Sequence, residues 1–183
     1  MGKYIKFFEN FDEDDDYKDP TDDIRKEKRD IEAYHGTYIS EKSDLIEQFT
    51  TGYSDYDAVW FSTNEDIAEE FAYNSARKDS DILIIYNVIL KLDSIAIIND
   101  NLAEEIKDFY GLFDFREAIP ILVRNRYDSW EVTGSIGSKQ YDDIAVFDES
   151  KIDIISAKIK INGKWTVYLP LTKIEKILEK CFK

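Results

Sequence analysis

The run Ile-Leu-Ile-Ile-Tyr-Asn-Val-Ile-Leu-Lys-Leu at Ile82 to Leu92 constrains the fold of this chain more than any other segment. It is too short to cross a bilayer, which takes roughly 20 apolar residues. A continuous apolar run of this length, rich in β-branched residues, predicts a strand buried on both faces. Such a strand needs neighbours on its edges and cover on its faces. The rest of the chain supplies them as short, separate signals.

Asp57 to Ser62 reads as a strand of aromatic and aliphatic residues. Thr63 followed by Asp66 resembles a capping box, opening a helix from Asn64 to about Ala76. In that helix Ile67, Phe71 and Ser75 share one face, with Ala68 and Ala72 beside them. Asp44 to Phe49 reads as a short helix that Gly52 and Ser54 break, and Asn101 to Leu112 as another helix. Ile119 to Val123 fits a strand or a short helix equally well.

After Trp130 a glycine-bearing loop is expected over Thr133 to Ser138. Three strands follow, at Ile144 to Phe147, Ile154 to Ile161 and Trp165 to Leu169. Asn162-Gly163 marks a hairpin turn between the last two, and a helix runs from about Thr172 to Phe182. Short strands interleaved with a few helices give the α+β class.

The first 31 residues look different. Tyr4 to Phe11 could form a short aromatic-faced helix, and the run Asp12-Glu13-Asp14-Asp15-Asp16 follows it. Like charges packed this densely repel, so residues 1–31 are expected to be an acidic, flexible segment ahead of a domain at 32–183.

Composition removes several function classes. A formal net charge of −15 argues against a nucleic-acid footprint, which needs clustered Lys and Arg, and against an anionic membrane surface. With one histidine, His35, and one cysteine, Cys181, a metal cluster or an internal disulfide is not expected. The expected compartment is the cytosol, that of the host if the chain is of phage origin. There is no Gly-rich dinucleotide fingerprint and no phosphate loop.

What remains is an order of features. Tyr34-His35-Gly36-Thr37 comes first, then Trp60-Phe61-Ser62-Thr63-Asn64 leading into a helix with Phe71 and Tyr73. Tyr141-Asp142-Asp143-Ile144-Ala145-Val146-Phe147-Asp148 closes the series. In these residues the chain resembles the ADP-ribosyltransferase superfamily, over roughly residues 33–158. The His-Gly-Thr segment is similar to that of diphtheria-toxin-like and poly-ADP-ribose-polymerase-like members. The last segment is similar to the strand bearing their catalytic glutamate, and to the small transferase domains of phage polyvalent proteins.

The resemblance implies a split β-sheet core with short flanking helices, and NAD as substrate. Nicotinamide leaves the ribose through an oxocarbenium-like transition state, which a nearby carboxylate stabilises. The match puts Asp143 in that role, with Asp standing where the family pattern has Glu. His35 would hydrogen-bond a ribose hydroxyl, Gly36 would let backbone approach the carboxamide, and Thr37 would steady the turn. Phe61 or its neighbour Trp60, beside Ser62, and Phe71 or Tyr73 would stack on the flat, cationic ring.

Each residue also has a plain structural reading: His35 as a turn residue, Phe71 as core, Asp143 as a solvated strand start. Three functions follow from the resemblance. The first is a mono-ADP-ribosyltransferase acting on a protein target, as a phage or bacterial effector. The second is a NAD glycohydrolase, and the third an interaction protein on an inactivated transferase scaffold. The Asp in place of Glu and the Phe in place of Tyr motivate the third.

Overall fold

Strand β3 (Ile82–Ile97) organises the chain, and it is longer than the apolar run that announces it. The computed structural model describes residues 18–40, 45, 58–76, 81–136 and 139–182, with backbone alone for 133–136 and 139–141. Along one edge β3 pairs antiparallel with β1 (Arg25–Ile39) over nearly its whole length. Along the other edge it pairs antiparallel with β6 (Ile152–Ile161) through Ile84 to Leu90, then parallel with β4 (Ser129–Ile136) through Ile95 to Ile97.

Two partners sharing one edge split the sheet. β4 pairs with β5 (Lys139–Val146), β5 with β2 (Val59–Ser62), and β2 returns to β1 through a single pair, Tyr34 opposite Ser62. The pairings β1–β2–β5–β4–β3–β1 therefore close on themselves, while β6 and the short β7 (Lys164–Trp165) extend from β3. The expected α+β class with a split sheet describes this arrangement.

The described helices are α1 (Glu65–Ser75), α2 (Asp100–Tyr110), α3 (Ile119–Arg124) and α4 (Leu171–Cys181). Asn64, not Thr63, caps α1, its side chain accepting from the Asp66 amide at 3.0 Å. Asn99 caps α2 in the same way, and Gly111 ends it at a φ of 66°. Asn162 and Gly163, at φ 49° and 77°, make the expected tight turn between β6 and β7.

The strands have two faces with different cover. On the inner face Ala33, Val59, Phe61, Ile84, Tyr86, Val88, Ile144 and Val146 pack together under Ile174 and Leu178 of α4. On the outer face α1 covers β1 and β3, while α2, α3 and the residues between them cover Trp60, Trp130 and Ala145. β3 is thus buried on both faces around Leu83 and Ile85, where α1 lies on it, and again at Ile95 and Ala96, where Ile95 joins the inner cluster and Ala96 the outer one.

Two sequence expectations change, and one left open between strand and helix is decided. The boundary expected between residues 31 and 32 falls inside β1, whose charged half Arg25–Ile31 pairs with β3. The loop expected at Thr133 to Ser138 is largely strand, since Ser135 pairs with Gln140 and Ile136 with Lys139. Ile119 to Val123 is helical. The expected helices at Tyr4–Phe11 and Asp44–Phe49 and the acidic run at 12–16 lie outside the described residues, Leu45 apart.

Among the described residues no helix is long and apolar enough to cross a membrane, and no cluster of His, Cys, Asp and Glu has the arrangement of a metal site.

Candidate active site

Directly opposed residues on neighbouring strands share a face, so register decides which side chains can meet. Asp143 lies opposite Ser62, Ser62 opposite Tyr34, and Tyr34 opposite Asn87. These four residues form one row across β5, β2, β1 and β3 on the outer face. Of the residues expected at the site, Ser62 and Asp143 meet in this row.

The β2–β5 junction is held by a latch just beyond the row. The Thr63 amide donates to the Asp142 carbonyl at 3.0 Å, and the Asp142 amide donates to Thr63 Oγ1 at 2.9 Å. The latch extends the pairing at the point where β2 turns into α1. Ser62 Oγ accepts from the Asn64 amide at 3.3 Å, and its hydroxyl hydrogen-bonds Asp143. Ser62 itself is fully buried.

Asp143 is an unusual carboxylate. Burial pushes its pKa up to about 6; the bond from Ser62 pulls it down, and the neighbouring charge of Asp142 adds to the rise. Its Oδ1 is buried and has no hydrogen-bond partner. A buried acceptor left unpaired costs about 1–3 kcal/mol. A carboxylate kept in that condition is suited to hold a ligand hydroxyl or to face a developing positive charge.

His35 and Phe61 meet on the inner face. Their ring centroids are 5.5 Å apart, and His35 is 6.2 Å from Tyr86. His35 Nδ1 lies 2.7 Å from the Trp60 carbonyl, which can only accept, so the proton of the neutral ring sits on Nδ1. Burial lowers the imidazole pKa, with the bond to the Trp60 carbonyl opposing. His35 ties β1 to β2 where the two strands splay apart. Thr37, two residues on, lies opposite Ile84.

Gly36 allows a close approach, and here the approaching group is α1. A Cβ at Gly36 would lie 1.6 Å from the Ala68 carbonyl oxygen, so the helix could not lie on β1 with any other residue there.

The four aromatic residues proposed for stacking do not gather. Phe61 is core at 1% exposure, and Trp60 packs edge-on against Trp130 on the outer face, centroids 5.3 Å apart. Phe71 and Tyr73 are each 46% exposed on α1, and the Tyr73 hydroxyl accepts from Lys160.

Sequence reasoning passed over two members of the row. Tyr34 stands next to the histidine that drew attention, and Asn87 is a carboxamide within an otherwise apolar stretch. The second was a legible signal, because a buried amide needs partners.

No known family's sequence profile matches this chain, and no curated protein sequence does. Among solved structures, it is similar to a chain of the crystal structure of the M. tuberculosis MbcT–MbcA toxin–antitoxin complex. That likeness has a TM-score of 0.41 and 8% sequence identity, covering 88% of this chain and 94% of the other.

Proposed function

We propose that this chain breaks the bond between nicotinamide and ribose in NAD and transfers ADP-ribose to a protein. The observation that carries the reading is the half-buried Asp143 carboxylate, steadied by Ser62 and with Oδ1 buried and unpaired. As the C1′–N bond breaks, its electron pair leaves with nicotinamide and positive charge spreads over C1′ and the ring oxygen. A carboxylate partly withdrawn from water stabilises that charge more than a fully solvated one does. The acceptor nucleophile then bonds to C1′ and releases a proton.

In this reading Ser62 orients the carboxylate. His35 acts through the Trp60 carbonyl, keeping β2 in register so that Ser62 stays opposite Asp143.

A second reading, an interaction protein on the same scaffold, is favoured by one observation. Phe61 is sealed in the core, so the expected stacking pair does not form. One experiment separates the two: nicotinamide release from NAD by the purified protein, with and without cell lysate, for the wild type and Asp143→Asn. Release that needs lysate and is lost in the variant supports transfer. Release without lysate makes water the acceptor. No release under any condition leaves the interaction reading.

A further inference from the structure

Glu65, Glu69 and Tyr73 stand four residues apart on α1 and therefore share one face of the helix. Each meets a side chain of the β6–β7 hairpin. Lys158 donates to Glu65, Trp165 Nε1 donates to Glu69 at 2.8 Å, and Lys160 donates to the Tyr73 hydroxyl. The Glu65 carboxylate accepts from the Tyr168 hydroxyl as well. Lys158 also faces two rings, its Nζ 4.9 Å from the centroid of Trp165 and 5.5 Å from that of Tyr168. Lys158 is 9% exposed and Tyr73 46%, so this polar seam is closed at the first turn of α1 and open to water at the last.

A buried ion pair is a weak source of net stability. Two apolar side chains of similar volume often stabilise as much. What the Lys158–Glu65 pair supplies is direction. The middle of α1 already rests on β1, where the Ala68 carbonyl lies over Gly36. One contact near the middle of a helix fixes its height above the sheet, and a second, at the first turn, fixes where the helix points.

That first turn leads straight to the site. The residue before Glu65 is Asn64, whose amide donates to Ser62 Oγ at 3.3 Å, and the Ser62 hydroxyl bonds Asp143. The groups that act on Asp143 are Ser62 from β2 and the charge of Asp142 on its own strand. From Lys158 to Asp143 the path is Glu65, Asn64 and Ser62, each step a covalent or a hydrogen bond. An amide donating to a hydroxyl oxygen polarises it and strengthens the bond that the hydroxyl donates onward.

We propose that Lys158 and Glu65 are positioning residues for Asp143, holding the first turn of α1 so that the Asn64 amide and the Ser62 hydroxyl stay aligned on its carboxylate. Lys158, Trp165 and Tyr168 stand at or beyond the end of the stretch that resembles the transferases, so the resemblance assigns them nothing. On the reading of Asp143 as the catalytic carboxylate, on which this inference rests, the alignment sets the pH at which the chain turns over NAD.

The test is an NMR titration of the Asp143 side-chain carboxyl in the full chain, beside the pH profile of nicotinamide release. Glu65→Leu/Lys158→Met removes both charges together, leaves the net charge unchanged and fills the space with apolar atoms, a replacement that folds tolerate. The Asp143 midpoint, about 6 in the wild type, should rise in this variant. A rise of at least about half a unit is expected, about threefold in proton affinity. The midpoint of activity should rise with it. Glu65→Gln separates alignment from charge, since loss of a nearby negative charge lowers a carboxyl pKa and loss of the bond from Ser62 raises it. A rise is expected here too. In a Ser62→Ala background the apolar pair should add nothing, because the path runs through Ser62.

An Asp143 midpoint that stays in place or falls in either variant overturns the positioning role, as does a full further rise in the Ser62→Ala background. If the midpoint rises as described yet the wild type releases no nicotinamide from NAD, the transfer reading fails and the positioning stands. If the wild type turns over NAD and the apolar pair leaves both midpoints in place, the positioning fails and the transfer reading stands.

Discussion

The inner and outer faces of β1, β2 and β5 are built from alternating residues of the same strands, yet they solve different problems. On the inner face His35, Phe61 and Ile144 are packed, and the histidine proton has found the Trp60 carbonyl. On the outer face Tyr34, Ser62 and Asp143 lie beside unpaired acceptors. One register separates a face that stabilises from a face that carries polar strain, and strain that the surrounding fold over-determines is where function is sought.

The largest effects should come from the inner face and from the helix contact, as losses of stability. Phe61→Ala should cost about 3–5 kcal/mol in chemical denaturation, the range for deleting a large buried aromatic. A loss below about 1 kcal/mol would mean that Phe61 is not core and is open to a ligand. Gly36→Ala should cost about 3 kcal/mol, because α1 must lift from β1 to admit the methyl group. Denaturation with an unchanged midpoint would contradict that contact.

Asp143→Asn should behave in the opposite way. Its carboxyl pKa in the fold, about 6, lies above its ordinary 3.8. The folded state therefore binds the proton more tightly than the unfolded one, and stability from this group is present below about pH 4 and lost as pH rises through 6. The asparagine variant should melt a few degrees higher than the wild type at pH 8. The gap should close toward pH 4. A variant less stable than the wild type at pH 8 would show that the carboxylate is held by partners and is not strained.

The smallest predicted change is Ser62→Ala. Losing a hydrogen bond to a charged group is worth about 1.5–3 kcal/mol, so activity should fall about tenfold or more. The pH midpoint of activity should move above that of the wild type, since the bond from Ser62 is what lowers the Asp143 pKa. A midpoint that stays in place would remove Ser62 from the site.

Much of the fold could be read from local signals. The apolar run of β3, the Asn-Gly turn and the helices α1, α2 and α4 each carry their cause within a few residues. β1 does not. Its first half, Arg-Lys-Glu-Lys-Arg-Asp, is charged throughout, and it becomes a strand because β3 offers a full-length edge. β4 runs on through Gly134, which in isolation marks a loop, because β5 pairs with it.

The site was legible in part for the same reason. The resemblance singled out Ser62 and Asp143, and register sets the two opposite each other. Which of Trp60, Phe61, Tyr34 and His35 shares their face depends on register and on which helix covers which side, and no stretch of sequence contains either. Asn87 was visible as an amide in an apolar strand, but its meaning needed the neighbours that register supplies.

The most direct test of the central claim is nicotinamide release from NAD measured between pH 5 and 8 for the wild type and Asp143→Asn. A catalytic Asp143 predicts release that falls away below about pH 6 as the carboxylate takes up its proton. It also predicts a loss of about 10²–10³-fold in the variant across the range. Release of equal rate in the two proteins, or none from the wild type at any pH, would contradict it.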